Sequence, residues 1–527
     1  MAIRYSPKFK EDLVILKSKP MQFIGIAVLF AAAALCPQAA SQQLPVAGSA
    51  GHTRYRIVFT GTFGGPNGHF AINGTHILNN DGTFLGWADD SLPDPFAPDG
   101  CWDGDDCFLA RAFHFKNGTM TDLGSLAPGF NSDVSWLSPS GLISGESQTG
   151  QVGLCGSDRC WLMHGVLWAH GKMTDLGTLD GGPISLTTSV NDSEEVAGFA
   201  LNTIPDPFSM FGLLQTRAYL WKDGVMRDLG TLGGPDAMAL RINERGQIAG
   251  NSYLGVDPSD ACVFPLRTGA FLWQQGVMTD LGGFGGTCTM VGDMNNRGQI
   301  VGGSLLSGDQ AQHAFLWQGG KLSDLGTLGG NFAFAQAVNE AGDIVGSQTL
   351  PPDDATFHAT LWSGGRIFDL GALGPQQCSF ASSVNSQLQV VGINSSDCDF
   401  RDDPSLRAIL SERGGPAIDL NTLIPPNSGV QLRNASIINE RGEIVAVGVF
   451  PDGSHGPVLL VPCESDPDSS ASAQADTCQN TGLPLSTTAA AIVSALSMPK
   501  QSPWIHSVLT RLQNKHFFGP IGRIPKR

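Results

Sequence analysis

The chain has 527 residues, 41% of them hydrophobic and 15% charged, so it can bury a large core. Its formal net charge is -17. The two ends, residues 1–20 and 500–527, hold 11 basic and 2 acidic residues, so residues 21–499 hold 20 basic and 46 acidic side chains. Because phosphate binding relies on basic clusters, this balance argues against nucleic acid as a partner. An acidic body is also typical of a soluble surface.

The N-terminal segment has the layout of a secretory signal. Two lysines precede an apolar run over residues 23–35, and small residues at 39–41 precede a cleavage position before Gln42. The apolar run is too short for a membrane span, so the mature chain is expected to contain none. We therefore predict a signal peptide at 1–41, a short linker at 42–53, and a protein that is secreted or lies in the cell envelope.

Cysteine usage agrees with export. Cleavage removes Cys36, a weak alternative lipidation site, and leaves ten of the 11 cysteines. An even number in an exported protein favours disulfides over metal binding. The expected pairs are Cys101 with Cys107, Cys155 with Cys160, Cys463 with Cys478, and, by remainder, Cys262 with Cys288 and Cys378 with Cys398.

A repeated pattern spans residues 54–462. In each copy an aromatic residue stands seven positions before an Asp, with Gly between them. The pairs are Phe115/Asp122, Trp168/Asp175, Trp221/Asp228, Trp273/Asp280, Trp317/Asp324 and Trp362/Asp369. A repeat of roughly 45 to 53 residues is typical of a propeller or another repeat array.

Each repeat unit contains four strand-like pieces, lettered a to d in chain order. Piece a ends in Asn, and a turn leads to piece b, which has the pattern Gly-x-Ile-Val-Gly. Piece c is Ala-Phe-Leu-Trp in its best copies, and a Gly-rich turn such as Asn117-Gly118 leads into piece d, Asp-Leu-Gly. Such turns are strong hairpin signals. A glycine-rich crossover then leads to the next unit.

The chain holds eight copies of piece b. It opens with a d-type segment, Tyr55 to Gly61, and ends with a c-type segment, Val458 to Val461, that no d piece follows. Pairing the two would complete a ring. We therefore predict an all-β fold, an eight-bladed β-propeller of four-stranded blades in which the N-terminal strand closes the last blade. A seven-bladed propeller and an open β-solenoid are the alternatives.

Two repeated side chains have predicted structural roles. The tryptophans of piece c are expected to pack between adjacent blades, because an indole supplies area that a thin blade lacks. The Asp of piece d is expected to accept backbone hydrogen bonds at the crossover.

The units differ most between pieces b and c, and the b-to-c loops should emerge on one face, where loops on a rigid scaffold usually bind. Units 1 and 3 share a Pro-Asp-Pro-Phe loop sequence, which is either a ligand platform or, as we favour, a stiffening element. The candidate ligand-binding residues are Asp94, Phe96, Trp102, Asp206 and Phe208.

An acidic cluster follows in the first loop, around the Cys101/Cys107 pair. Its carboxylates would suit calcium, the one cofactor that the sequence suggests, but their spacing matches no EF-hand, so solvated turn residues are the favoured alternative. The candidate metal ligands are Asp99, Asp103, Asp105 and Asp106.

The segment 463–527 differs in composition from the repeats. A Ser- and Ala-rich linker leads to a basic end from Lys500 onward, which carries six basic residues and no acidic one. A terminus without fixed structure is the simplest interpretation, and surface contact with a membrane or a partner is the alternative.

The motifs His-Ala-Phe-Leu-Trp, Asp-Leu-Gly-Thr-Leu-Gly-Gly and Val-Asn-x-x-Gly-x-Ile-Val-Gly resemble the bacterial extracellular HAF-repeat family over residues 54–462. Unit 2, with Ser138 in place of Asn, and the last unit, which lacks Trp, depart from the pattern. The resemblance implies an exported bacterial protein and no particular activity.

No phosphate-binding loop, nucleophile elbow or zinc-protease motif occurs in the sequence. The favoured hypothesis is a secreted scaffold that binds a glycan or protein through the loop-bearing face, rather than an enzyme. The alternatives are a carbohydrate-active hydrolase or lyase that uses the same face, and a structural envelope component.

Overall fold

The computed structural model describes residues 52–70, 76–95, 97, 101–102, 107–155, 158–210, 214–262, 264–352, 354–375, 377–396, 398, 404–463 and 478. The predicted signal peptide, most of the predicted linker and nearly all of the tail after residue 463 lie outside these ranges. The described part is all-β, as predicted, with strands β1 to β32 and one 3-10 helix, Leu420–Thr422.

The strands fall into units of the kind that the repeat predicts. The first strand, β1 (Tyr55–Phe59), precedes unit 1. Unit 1 contains β2 (Gly64–His69), β3 (Phe84–Pro93), β4 (Phe108–Lys116) and β5 (Thr119–Asp122). Unit 2 contains β6 (Ser132–Leu137), β7 (Ile143–Cys155), β8 (Asp158–Ala169) and β9 (Lys172–Asp175). Unit 3 contains β10 (Ser185–Val190), β11 (Val196–Pro205), β12 (Leu214–Lys222) and β13 (Val225–Asp228). Unit 4 contains β14 (Ala237–Ile242), β15 (Ile248–Pro258), β16 (Leu266–Gln274) and β17 (Val277–Asp280).

The second half of the chain repeats the arrangement with shorter strands. Unit 5 contains β18 (Gly285–Met294), β19 (Ile300–Leu306), β20 (Gln312–Gln318) and β21 (Lys321–Asp324). Unit 6 contains β22 (Ala333–Val338), β23 (Ile344–Thr349), β24 (Phe357–Ser363) and β25 (Arg366–Gly371). Unit 7 contains β26 (Cys378–Val384), β27 (Gln389–Ser395), β28 (Arg407–Glu412) and β29 (Ile418–Asp419). Unit 8 contains β30 (Gln431–Ile438), β31 (Ile444–Val449) and β32 (His455–Pro462).

Strands within a unit pair antiparallel in the order a, b, c, d. Units 1, 2, 3, 6 and 7 are separate four-stranded sheets, whereas units 4 and 5 form one eight-stranded sheet. A parallel bridge between Thr268 and Cys288 joins those two units. The four pieces of the sequence repeat are therefore four strands of one sheet.

Unit 8 takes its fourth strand from the other end of the described chain. β1 pairs antiparallel with β32, so that Tyr55 lies opposite Pro462 and Phe59 opposite Val458. The Cys463 N–H also donates to the Arg54 carbonyl at 2.8 Å. This is the pairing that the order of the pieces in the sequence predicts.

The asparagine between strands a and b forms the turn and also reaches the next unit. Asn295 Oδ1 accepts from the Arg297 and Gln299 N–H groups, both at 3.1 Å, and its Nδ2 donates to the Asn339 carbonyl at 2.9 Å. The same bond to the following unit occurs from Asn191, Asn243, Asn339, Asn385 and Asn439.

The acceptor of the last of these bonds lies in the first unit. Asn439 Nδ2 donates to the Asn79 carbonyl at 3.0 Å, although the two residues are 360 positions apart. Between units 1 and 2 the contact is a backbone bond from the Leu137 N–H to the His76 carbonyl at 2.8 Å. Between units 2 and 3 the Ser140 N–H donates to Asp192 Oδ1 at 2.9 Å. Each unit therefore contacts the next at or beside the a-to-b turns, and unit 8 contacts unit 1.

The second glycine of the Gly-x-Ile-Val-Gly pattern is required by packing inside the unit. A Cβ placed on Gly302 would lie 1.9 Å from the Met290 carbonyl oxygen of strand a and 3.0 Å from the Phe315 ring of strand c. At Gly250 the corresponding distance to the neighbouring carbonyl is 2.1 Å. Strands a and c therefore approach strand b too closely for any side chain.

The tryptophans of strand c pack between units, as predicted. Trp168 of unit 2 is buried in a cluster that includes Phe113 and Phe115 of unit 1, and its Nε1 donates to the Leu123 carbonyl at 2.8 Å. Trp362 of unit 6 packs in the same way on a cluster that contains residues of unit 5.

The Asp of strand d accepts a backbone hydrogen bond at the crossover, also as predicted. In unit 5, Asp324 accepts from the Gly326 N–H and from His313 Nδ1, each at 2.7 Å. Burial acts to raise the pKa of Asp324, but these two donors outweigh it and lower the pKa. His164 and His358 pair with Asp175 and Asp369 in the same manner. The repeated His therefore orients the crossover Asp.

Candidate functional site

The b-to-c loops lie at the end of each sheet opposite to the asparagine turns, on the same side as the crossovers. We call this side the loop-bearing face. The b strands of units 1 to 4 have 10, 13, 10 and 11 residues, whereas those of units 5 to 8 have 7, 6, 7 and 6. The b–c hairpins of units 1 to 4 therefore extend farther on this face.

The extended hairpins carry most of the exposed large apolar side chains of the described residues. Leu154 is 64% exposed and Val256 is 70% exposed. The full set on these hairpins is Leu92, Val152, Leu154, Ile204, Phe208 and Val256. Val225 and Val277, which are similarly exposed, lie at the c-to-d turns on the opposite face. Six of the exposed large apolar side chains of the described residues therefore lie on the loop-bearing face.

In unit 1, the predicted residues Asp94 and Trp102 lie together, and both are buried. Asp94 Oδ2 accepts from the Trp102 N–H at 2.8 Å and from Asn131 Nδ2 at 2.9 Å. Asn131 belongs to unit 2, and its Oδ1 accepts from the Ala110 N–H at 2.7 Å. These contacts fasten the loop to the next unit, which is the stiffening role that we favoured for this motif.

In unit 3, Asp206 is also buried but Phe208 is 43% exposed. Asp206 Oδ1 accepts from the Phe208 N–H at 2.8 Å. Its neighbour is Asp236, which precedes the first strand of unit 4 and accepts from the Met210 and Thr216 N–H groups at 2.7 and 2.9 Å. The aromatic side chain thus stands on a loop whose base is fixed by buried carboxyl groups.

Asn131, Asp236 and Cys288 occupy one equivalent position, seven residues before the a-to-b turn, which we call the anchor position. Each holds the b-to-c loop of the preceding unit. Asn131 does so through an amide–carboxylate bond and Asp236 through a second carboxyl group. Cys288 uses its disulfide to Cys262. Three different chemistries therefore fix three of the four long loops.

The carboxyl group at the anchor position of unit 4 has a displaced pKa. Burial raises the pKa of Asp236 to about 7, the two backbone donors offset part of the rise, and the adjacent Asp206 adds to it. Tyr253 lies against the pair, and its hydroxyl donates to the Phe208 carbonyl at 2.9 Å.

The remaining predicted site residues, Phe96, Asp99, Asp103, Asp105 and Asp106, lie outside the described residues, so calcium binding there stays a prediction. Within the described ranges, no group of three or more His, Cys, Asp or Glu side chains is arranged to hold a metal ion.

The structure contains disulfides at all five predicted pairs: Cys101–Cys107, Cys155–Cys160, Cys262–Cys288, Cys378–Cys398 and Cys463–Cys478. Several of them lie at the long loops. Multiple disulfides fit an extracellular or secreted protein.

A second constellation, which the sequence did not reveal, joins the inner strands of four units. The His76 ring stacks on Trp136 with centroids 4.0 Å apart, and the Arg241 guanidinium lies 5.2 Å from the centroid of the same indole. Arg241 Nε is 3.0 Å and His76 Nε2 is 3.7 Å from Asp293 Oδ1. Units 1, 2, 4 and 5 supply these residues.

The charges of this constellation are balanced internally. Burial acts to raise the pKa of Asp293, but His76 and Arg241 together lower it. The cation–π contact with Trp136 adds further stabilisation. The group therefore links inner strands rather than presenting a free charge. Trp136, Arg241 and Asp293 stand two positions before the turn residue, where units 3, 6 and 7 have Ser or Ala, and this difference was the available signal.

Unit 2 also buries two acids whose positions pair across strands β6 and β7, Asp133 and Glu146. Burial raises the pKa of Glu146 to about 7, although Ser135 Oγ and the Thr187 N–H donate to it. Burial and the nearby Glu146 raise the pKa of Asp133 as well. Both side chains are too buried to meet a large ligand.

No family model and no curated protein matches this chain. Among solved structures it is similar to a Mycobacterium tuberculosis puromycin-hydrolyzing peptidase, with 13% identity over 74% of this chain and 62% of that one and a TM-score of 0.38. It is also similar to an α-L-arabinofuranosidase from Fusarium graminearum, with 9% identity over 78% and 98% of the two chains and a TM-score of 0.27. A Bombyx mori β-fructofuranosidase matches at 9% identity over 78% and 90%, with a TM-score of 0.23.

The chain spans less than two thirds of the peptidase. Because these TM-scores are below 0.5, the similarities assign no activity to this chain. In the part of the chain that the structure describes, no helix has the length and apolar character needed to cross a membrane.

Proposed function

We propose that this chain is an exported bacterial HAF-repeat protein whose eight units are the blades of a closed β-propeller, and that it binds a glycan or protein ligand through the loop-bearing face. The pairing of β1 with β32 and the bond from Asn439 to Asn79 support closure. The disulfides support export.

One observation carries the binding proposal. Six exposed large apolar side chains stand on the extended hairpins of units 1 to 4. The hairpins of units 1, 3 and 4 are held by the anchors, so these three loops lose little conformational entropy when a ligand binds. A rigid scaffold that presents apolar residues on adjacent loops suits recognition.

Catalysis is the less supported alternative. A hydrolase of this kind needs carboxyl groups that reach the substrate. The carboxyl pairs described above, Asp206 with Asp236 and Asp133 with Glu146, are buried and have structural partners. They do not favour an enzyme.

The proposal is tested by probing the purified domain, Gln42 to Cys463, against an array of glycans and envelope components, with calcium and with chelator. We expect a specific hit. Loss of that hit with chelator and in the double variant Asp103→Asn/Asp105→Asn would add calcium to the site, and a hit that survives both would exclude it. A domain that binds nothing on the array and no envelope protein would count against the proposal.

A further inference from the structure

The unit 3 loop is held differently from its counterpart in unit 1. Both loops begin with the same Pro-Asp pair, and both aspartates are buried. In unit 1 the partner at the anchor position is Asn131, whose amide donates to Asp94. In unit 3 the partner is Asp236, a carboxyl group that has no proton to donate when ionised.

Three of the four carboxyl oxygens of Asp206 and Asp236 accept a backbone hydrogen bond, and the fourth does not. Both oxygens of Asp236 accept backbone N–H groups, and Asp206 Oδ1 accepts from Phe208. Asp206 Oδ2 is buried and has no hydrogen-bond donor among the described residues. Two adjacent buried carboxylates repel each other, so ionising both has a large free-energy cost. One proton shared between them would give Asp206 Oδ2 a hydrogen bond and would remove the electrostatic repulsion.

We infer that the unit 3 loop is a pH-sensitive element of the loop-bearing face, fastened by a proton shared between Asp206 and Asp236 and loosened when that proton is lost. The loop carries Ile204 at its base and Phe208 at its exposed part. A change in proton occupancy would therefore change the order of two of the apolar side chains on this face.

Other titratable groups around the pair do not replace the proton. Tyr253 of β15 donates its hydroxyl proton to the Phe208 carbonyl, and burial, Asp236 and Asp206 all raise its pKa. Arg217 of β12 donates to the Pro235 carbonyl and is paired with Asp228 of β13. The guanidinium charge is thus engaged by another carboxylate.

The direction of the effect follows from linkage. The pKa of Asp236 rises from 3.8 in the unfolded chain to about 7 in the folded loop. The stabilisation by the proton is therefore complete below the unfolded pKa of 3.8 and is lost progressively as the pH rises to the folded pKa of about 7. Unit 1, with its amide, and unit 4, with its disulfide, contain no equivalent proton at the anchor position.

The test is hydrogen exchange of the mature domain, corrected for the intrinsic pH dependence of exchange, between about pH 4 and about pH 8.5. The reporters are the Met210 and Thr216 amides, which donate to Asp236. In the wild-type chain we expect their protection to fall by up to about tenfold for each pH unit between about pH 4 and about pH 7 and to level off above that, because the proton is lost from both states there. In Asp236→Asn, which copies the unit 1 arrangement, we expect a change of about twofold at most.

The reciprocal variant provides the matched control. Asn131→Asp should give the Trp102 and Ala110 amides the pH dependence that they lack in the wild-type chain, because these amides donate to Asp94 and to residue 131. If Asp236→Asn does not fold, Asp206→Asn removes one carboxyl group of the same pair. Protection that is independent of pH in the wild type, or pH dependence that persists in either Asn variant, would overturn the inference.

Discussion

Replacing Asn295 by Ala should remove both a turn and a link between units. The side chain makes two bonds inside its own turn, to the Arg297 and Gln299 N–H groups. It makes one bond to the Gln299 side chain at 2.7 Å and one to the Asn339 carbonyl of unit 6 at 2.9 Å. Alanine keeps none of the four.

The expected cost follows from these bonds. A typical hydrogen bond contributes about 1 kcal/mol net, and the bonds inside the turn are partly recovered by water. Asn295 is almost fully buried, so the bond to Asn339 is not recovered. We expect the free energy of unfolding to fall by about 2 to 3 kcal/mol.

Serine at position 295 is the graded control, because unit 2 already uses serine at this position. Ser138 Oγ accepts from the Leu142 N–H at 3.0 Å. Asn295→Ser should therefore keep an acceptor for the turn, lose the link to unit 6, and cost about 1 to 2 kcal/mol.

The assay is urea unfolding of the disulfide-intact domain, with midpoints compared at equal slope. Asn439→Ala should have a cost similar to Asn295→Ala, because its side chain makes the corresponding bonds and links unit 8 to unit 1. The reasoning is refuted if Asn295→Ala unfolds within about 0.5 kcal/mol of the wild type, which is the range of neutral surface substitutions.

Three further perturbations test the packing and the charges. Glu146→Gln should flatten the pH dependence of the free energy of unfolding. The pKa of Glu146 is about 7 in the folded chain and 4.5 in the unfolded chain, so the wild type should lose on the order of 3 kcal/mol of stability between about pH 4.5 and about pH 8. A variant that loses as much stability over this range would contradict the assignment. Gly302→Ala should lower the free energy of unfolding by about 2 kcal/mol or more, because the new Cβ would overlap the Met290 carbonyl oxygen. An unchanged urea midpoint would show that strands a and b can move apart at no cost in stability. His313→Ala should raise the pKa of Asp324, which a carboxyl titration by NMR would detect, and an unchanged value would mean that the Gly326 amide alone sets it.

The parts of the fold that depend on local spacing could be predicted from the sequence. The turn Asn, the strand-b glycine and the hairpin pairs recur within one unit, and each reports a contact between neighbours in the chain. Gly302 is an example, since strand b lies between strands a and c of the same sheet. The pairing of β1 with β32 was predictable because the repeat region begins with a d-type strand that has no c strand before it and ends with a c-type strand that has no d strand after it.

The Asn131 and Asp236 anchors and the contacts of the inner constellation could not be predicted, because their partners come from different units. The Cys288 anchor was predicted, through its disulfide to Cys262. Asp206 and Asp236 are 30 positions apart, and nothing in the repeat pattern marks position 236 as a loop anchor. Trp136 and Arg241 are separated by two unit boundaries. A sequence pattern identifies the face on which a side chain lies, whereas contact across a sheet-to-sheet interface depends on how the units pack.

The central claim is that the loop-bearing face binds the ligand, and binding by face-specific variants tests it most directly. One variant carries Leu154→Ser, Phe208→Ser and Val256→Ser. The matched control carries Val225→Ser and Val277→Ser, which remove similarly exposed apolar residues from the opposite face. Titrated with the ligand found on the array, the first variant should bind at least about tenfold more weakly and the control should bind as the wild type does. Unchanged binding by the first variant, or loss confined to the control, would contradict the account.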